Sequence, residues 1–121
     1  MRIMIVDDEQ PCIDELVFQL DRYSDVSVSG TYTNPVKALE AARASIPHAV
    51  FIDVSMPYMN GIELADKLRK LNNEIQIIFV SAHSLLLENI KKGRSCVWML
   101  KPVREARLKA IIELLRGRLG C

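Results

Sequence analysis

With 121 residues, 50% of them hydrophobic, the chain suits one ordinary globular domain with a real core, and a second domain would not fit. Its 16 Lys and Arg stand against 15 Asp and Glu, a balance that argues against a protein whose main task is to coat nucleic acid. No apolar stretch approaches the roughly 18 residues that span a bilayer, and no signal-peptide layout follows Met1, so a cytoplasmic location with no membrane contact is expected.

The charge is unevenly spread. Residues 1–60 hold nine acids and four bases, whereas residues 91–121 hold nine bases and only Glu105 and Glu113 as acids. A basic final segment can meet an acidic partner or merely solvate a helix, and the second reading is preferred. Cys12, Cys96 and Cys121 form an odd, irregular set without a CxxC pair, so neither a disulfide framework nor a zinc site is indicated. Cys12 and Cys96 read as small buried or half-buried residues.

In chain order, Ile3-Met4-Ile5-Val6 is a continuous apolar run that stops at Asp7 and Asp8. Pro11 then opens a helical segment whose Ile13, Leu16, Val17 and Leu20 share one face. Val26 to Tyr32 reads as a strand, and Asn34-Pro35 as an N-cap and first-turn proline ahead of an Ala-rich helix to Ser45. A second continuous run, Ala49-Val50-Phe51-Ile52, stops at Asp53. Ser55 to Gly61 is a rigid loop shaped by Pro57 and the turn-forming Asn60-Gly61, and a helix follows to about Leu71. Ile77-Ile78-Phe79-Val80 stops at Ser81, and a shorter helix from Ser84 to Lys92 ends at Gly93. Val97-Trp98-Met99-Leu100 stops at Lys101, and Leu108, Ile111, Ile112, Leu115 and Leu119 form the stripe of a last helix.

Continuous rather than alternating apolar runs mark strands buried on both faces, and five β-α units in succession predict an α/β domain with a five-stranded parallel sheet. Parallel strands end on the same edge, where ligands bind in such sheets. Three carboxylates (Asp7, Asp8 and Asp53), the Ser81 hydroxyl and the Lys101 ammonium would therefore meet there. The set suits a divalent cation and a phosphoryl group. Mg²⁺ prefers oxygen ligands, so carboxylate oxygens of Asp8 and Asp53, a backbone carbonyl just beyond Asp53 at Ser55, and waters oriented by Asp7 are its expected shell. If Asp53 attacks a phosphoryl donor, the metal offsets charge on the transferring oxygens, Lys101 supplies a fixed positive charge and Ser81 a hydrogen bond.

Each residue alone has a plainer reading. An Asp after a strand is usually a turn former, Asp7-Asp8-Glu9 a solvated helix start, Ser81 a cap and Lys101 a surface lysine. Their co-occurrence at strand ends in one register favours the joint site.

Four segments carry a resemblance: Ile5-Val6-Asp7-Asp8-Glu9, then Phe51-Ile52-Asp53-Val54-Ser55-Met56-Pro57-Tyr58-Met59-Asn60-Gly61-Ile62-Glu63-Leu64, then Val80-Ser81-Ala82, then Leu100-Lys101-Pro102. In this order and spacing the chain resembles the receiver domain of two-component response regulators over essentially residues 1–121. The resemblance implies a flavodoxin-like (βα)5 three-layer sandwich and transfer of a phosphoryl group from a sensor histidine kinase to Asp53. It also implies Mg²⁺ held by Asp7 and Asp8, Ser81 as the phosphate sensor, Lys101 as its partner, and a cis Lys101–Pro102 bond.

One departure stands at Trp98, where the family usually has a Tyr or Phe that changes rotamer with the serine or threonine; a static packing role is weighed equally. His83 lies where the family tunes dephosphorylation, although an ordinary solvent-facing histidine is the simpler account. The Leu85-Leu86-Leu87 run points to a partner surface, and a homodimer through that helix, the last strand and the last helix is expected. The expectation is a phosphorylation switch, not an enzyme, with no nucleic-acid binding of its own. It either stands alone or, as preferred, is joined to an output module, often DNA-binding, that lies beyond this chain. A haloacid-dehalogenase-like phosphohydrolase is the rival, but it wants a second acid where this chain has Ser55. A degenerate receiver would have lost key positions, and none is lost.

Overall fold

The computed structural model describes residues 1–83 and 97–119. The elements in chain order are β1 (Arg2–Val6), α1 (Gln10–Leu20), β2 (Ser27–Tyr32), α2 (Pro35–Ala44), β3 (Ala49–Asp53), α3 (Gly61–Leu71), β4 (Gln76–Ser81), β5 (Val97–Leu100) and α4 (Glu105–Arg118). The helix expected from Ser84 to Lys92, with its Leu85–Leu87 run, lies outside the described residues.

The strands form one parallel sheet in the order β2-β1-β3-β4-β5. Side chains alternate across a strand, and here both directions lead into a core. Ile3, Ile5, Ala49, Phe51, Ile78, Val80, Val97 and Met99 face α1 and α4, whose Ile13, Leu16, Leu20, Leu108, Ile111, Ile112 and Leu115 cover them. Met4, Val6, Val50, Ile52, Ile77 and Phe79 face the other way, against Ala38, Leu39 and Ala42 of α2 and Leu64, Ala65 and Leu68 of α3. A flavodoxin-like three-layer sandwich results, and two-sided burial is the reason the runs contain no polar alternation.

The sheet order reverses direction between β1 and β3, so the crevice beyond their carboxyl ends is the topological switch point. Register then fixes which side chains meet. Val6 pairs with Ile52, Asp53 with Val80, and Ser81 with Leu100, so a slip of one residue would turn each site residue to the opposite face.

Two details depart from the expected elements. β2 starts at Ser27 rather than Val26, and a bulge inserts Ser29 where Ile3 and Met4 pair with Val28 and Gly30. In the loop after β3, the left-handed residue is Tyr58 (φ 70°) and not Asn60 or Gly61. Asn60 instead caps α3, its side chain accepting from the Glu63 N–H at 2.9 Å. Gly61 is required by close approach, because a Cβ there would lie 2.4 Å from the Asp53 carbonyl oxygen and 2.8 Å from Ile52 Cγ2.

Candidate functional site

Asp53 is the last residue of β3 and Ser81 the last of β4, and both are buried. Asp7 and Asp8 follow β1, and Lys101 follows β5 with a backbone N–H bond to the Ser81 carbonyl at 2.9 Å. These positions converge. Asp8, Glu9, Asp53, Ser55, Ser81, Ala82, His83 and Lys101 line one open cleft of about 210 Å³.

Lys101 is the hub of the charges. Its Nζ donates to Asp7 Oδ2 at 2.8 Å, and lies 3.4 Å from both Asp53 Oδ2 and Glu9 Oε1. Burial by itself would lower the lysine's pKa, but the hydrogen bond and charge of Asp7, joined by the charge of Asp53, outweigh it and hold the ammonium firmly protonated. Asp53 responds in the opposite sense. Burial, then the charge of Asp7, push its pKa up to about 7, with Lys101 and the Ser55 backbone N–H opposing and a hydrogen bond with Asp8 adding to the rise. A solvent-facing Asp titrates near 4, so Asp53 holds its proton to a distinctly higher pH than an exposed carboxylate does.

Around this pair the backbone is tied down. Asp7 Oδ1 accepts the Glu9 N–H at 2.9 Å, and Asp53 Oδ1 accepts the Ser55 N–H at 3.3 Å. Ser81 Oγ accepts the His83 N–H at 3.0 Å, which is a turn bond, and its own proton faces the His83 carbonyl at a long 3.4 Å. The Lys101–Pro102 peptide is cis.

The donor set fits Mg²⁺. Ligand oxygens of Asp7, Asp8, Glu9 and Asp53 lie within 4.8 Å of one another, and all are hard oxygen donors of the kind this ion prefers.

Three participants escaped the sequence reading. Glu9 belongs to the carboxylate cluster and contacts Lys101; it passed for a helix start because its Cα lies at the N-cap of α1. Cys12 sits half-buried beside Lys101, and burial raises its thiol pKa against the opposing charge of the lysine. Gln19, buried on α1, donates to the Val103 carbonyl at 3.1 Å and to Glu15 Oε1 at 3.0 Å, which ties α1 to the loop carrying Lys101. Its place three residues after Leu16 on the apolar stripe was the available signal.

Trp98 lies apart from the cleft. It is half-buried on the α2–α3 side of the sheet, with the Arg107 guanidinium 5.0 Å from its ring centroid and donating to its carbonyl at 2.6 Å.

The parallel sheet in this order carries acids after β1 and at the end of β3, a hydroxyl at the end of β4 and an ammonium after β5, the arrangement of a receiver signalling module. The chain belongs to the response regulator receiver domain family, whose model matches residues 3–113. It is 32% identical over 108 residues to the sensory transduction protein LytT of Bacillus cereus, covering 89% of this chain and 44% of that protein. It is 28% identical over 116 residues to the transcriptional regulatory protein BtsR of Escherichia coli, covering 96% and 48%. The crystal structure of a two-component transcriptional regulator AraC from Clostridium phytofermentans superposes with a TM-score of 0.83 at 28% identity, covering 98% of this chain and 94% of that one. The chain thus spans about half the length of the curated relatives it matches. Among the described residues, no helix is long and apolar enough to cross a membrane.

Proposed function

We propose that Asp53 is the phosphoacceptor of a cytoplasmic two-component switch, taking its phosphoryl group from the phosphohistidine of a sensor histidine kinase. The observation that carries this reading is the convergence of Asp53, Lys101, Asp8 and Ser81 on one cleft at the switch point of the sheet. An oxygen of the Asp53 carboxylate attacks phosphorus as the phosphorus–nitrogen bond breaks; an acyl phosphate forms and the imidazole leaves with the electron pair. Lys101, 3.4 Å from Asp53 and held charged, stays beside the new dianion as its counter-charge. The Ser81 hydroxyl proton, only loosely engaged, is free to turn toward a phosphate oxygen.

Asp7, Asp8, Asp53 and the Ser55 backbone carbonyl would hold Mg²⁺, with Glu9 beside them. When bound there, the ion spreads the negative charge of the transferring oxygens.

Residues 1–121 act, in this reading, as one receiver unit joined to an output domain. The doubled length of relatives named as transcriptional regulators supports an output that controls transcription, with DNA contacts made there and not by this domain. Phosphate on Asp53 drawing in Ser81 would let Trp98 turn as the reporting ring, and would change a homodimer contact that includes β5 and α4.

Intact-mass measurement tests the core of this. Acetyl phosphate with Mg²⁺ should add a single phosphate to the protein and none to Asp53→Ala or to protein in chelator. Labelling of Asp53→Ala at the wild-type level would overturn the assignment.

A further inference from the structure

A second space adjoins the cleft and shares Asp53 and Lys101 with it. It is a pocket of about 170 Å³ between α1 and the loop after β5, partly open to solvent and walled largely by Ile5, Leu16, Phe51, Val80 and Val103. Water against carbon walls finds few hydrogen-bond partners, and an apolar group that displaces it gains affinity. An engineered cavity of about 150 Å³ with similar walls binds benzene. The space is therefore large enough for a small aromatic molecule.

Its polar surroundings narrow the chemistry. Asp7, Glu15, Asp53 and Lys101 are among the residues that line it, and the Lys101 Nζ already serves Asp7, Asp53 and Glu9. Acceptors are thus in excess. An anion would meet three carboxylates, and a cation would leave water for carbon walls. A neutral ring with one N–H or O–H finds both its wall and its acceptor. Cys12, half-buried at the rim, adds a polarisable sulfur suited to a ring edge and opens the space to solvent.

Asp53 and Lys101 line this cavity and the adjoining cleft alike. We propose that the cavity binds a small neutral aromatic molecule carrying one hydrogen-bond donor, of the size of phenol or indole, and that its occupancy slows phosphorylation by acting on Asp53 and Lys101. The binding is independent of the phosphoacceptor role; the slowing rests on it.

Methyl-resolved carbon-13 NMR of the whole chain, without metal or phosphodonor, tests the binding with indole, N-methylindole and benzoate. Indole should shift the Leu16, Val80 and Val103 methyl signals saturably, N-methylindole should bind about tenfold more weakly for want of a donor, and benzoate should not bind. Val80→Ile, which adds a methylene to the wall, should weaken indole about tenfold. Cys12→Met, at the rim where the core is not strained, should do the same if Val80→Ile disturbs folding. Absent or non-saturable shifts, shifts centred elsewhere, or unchanged indole affinity in a folded variant would overturn the site, and equal affinity for the two indoles would overturn the donor assignment. With saturating indole, the rate of phosphate uptake from acetyl phosphate with Mg²⁺ should fall several-fold; an unchanged rate removes the regulatory part. Protein that binds indole but takes up no phosphate under any condition refutes the phosphoacceptor reading and leaves the cavity site standing.

Discussion

Asp53→Asn should make the metal-free protein more stable, and only above mildly acidic pH. The folded state holds the Asp53 proton to about pH 7 because burial and Asp7 disfavour the charge, whereas the unfolded chain releases it near pH 4. With the folded pKa above the unfolded one, the stabilisation from protonation is fully present below about pH 4 and is lost as pH rises through about 7. Wild-type protein at pH 8 therefore carries an unfavourable charge that asparagine, of nearly the same shape, does not. A pKa displaced from near 4 to near 7 corresponds to at most about 4 kcal/mol, and water in the open cleft screens this to about 2 kcal/mol. Lys101 does not become an orphan in the variant, because Asp7 holds it at 2.8 Å. For a domain of this length, about 2 kcal/mol raises the melting temperature by roughly 6–10 °C. Thermal unfolding followed by circular dichroism, in chelator at pH 4 and pH 8, reads the effect directly. The variant should melt near the wild-type temperature at the lower pH and well above it at the higher. An equal difference at both pH values, or a less stable variant at pH 8, would refute the reasoning.

Asp8→Asn should weaken Mg²⁺ binding on the order of tenfold by calorimetry, and Glu9→Gln less, because part of the Glu9 charge is already spent on Lys101 at 3.4 Å. For the wild type the same titration should weaken below pH 7, as the Asp53 proton competes with the ion. Gly61→Ala should cost about 2–3 kcal/mol in chemical denaturation, since the new methyl would meet the Asp53 carbonyl at 2.4 Å, and should slow phosphorylation by moving that strand end. Arg107→Ala should shift Trp98 emission to the red and increase iodide quenching, because the guanidinium covers the ring at 5.0 Å.

The fold was legible because two-sided burial writes itself as unbroken apolar runs. Ile3 to Val6, Ala49 to Ile52 and Ile77 to Val80 each put alternate residues into the two cores, and the helices between them showed their stripes. The strand ends pointed to the site for the same reason: Asp53 and Ser81 close runs that would otherwise continue. What stayed hidden depends on three-dimensional neighbours. Glu9 and Cys12 gain their roles from Lys101, which lies about ninety residues further along the chain, and no local pattern records that meeting. Tyr58 carries the left-handed turn in place of the Asn-Gly pair because Asn60 is taken by the cap of α3 and Gly61 by the approach of the Asp53 carbonyl.

The charge balance of the cleft links stability to the proposed chemistry. Four carboxylates cluster there, and among the described residues Lys101 is the one ammonium in contact with them. With every acid ionised, the cluster would carry three uncompensated negative charges at the end of a buried sheet, and repulsion of that kind is relieved by taking up a proton or a cation. In the metal-free protein burial, and then the charge of Asp7, favour the proton on Asp53. A divalent ion bound there would offset the same excess without a proton on Asp53, and in the proposed chemistry that would leave the carboxylate ionised for attack. The instability assigned to ionised Asp53 and the metal requirement assigned to its phosphorylation thus have one origin, and a variant that abolished the first while leaving the second intact would separate them.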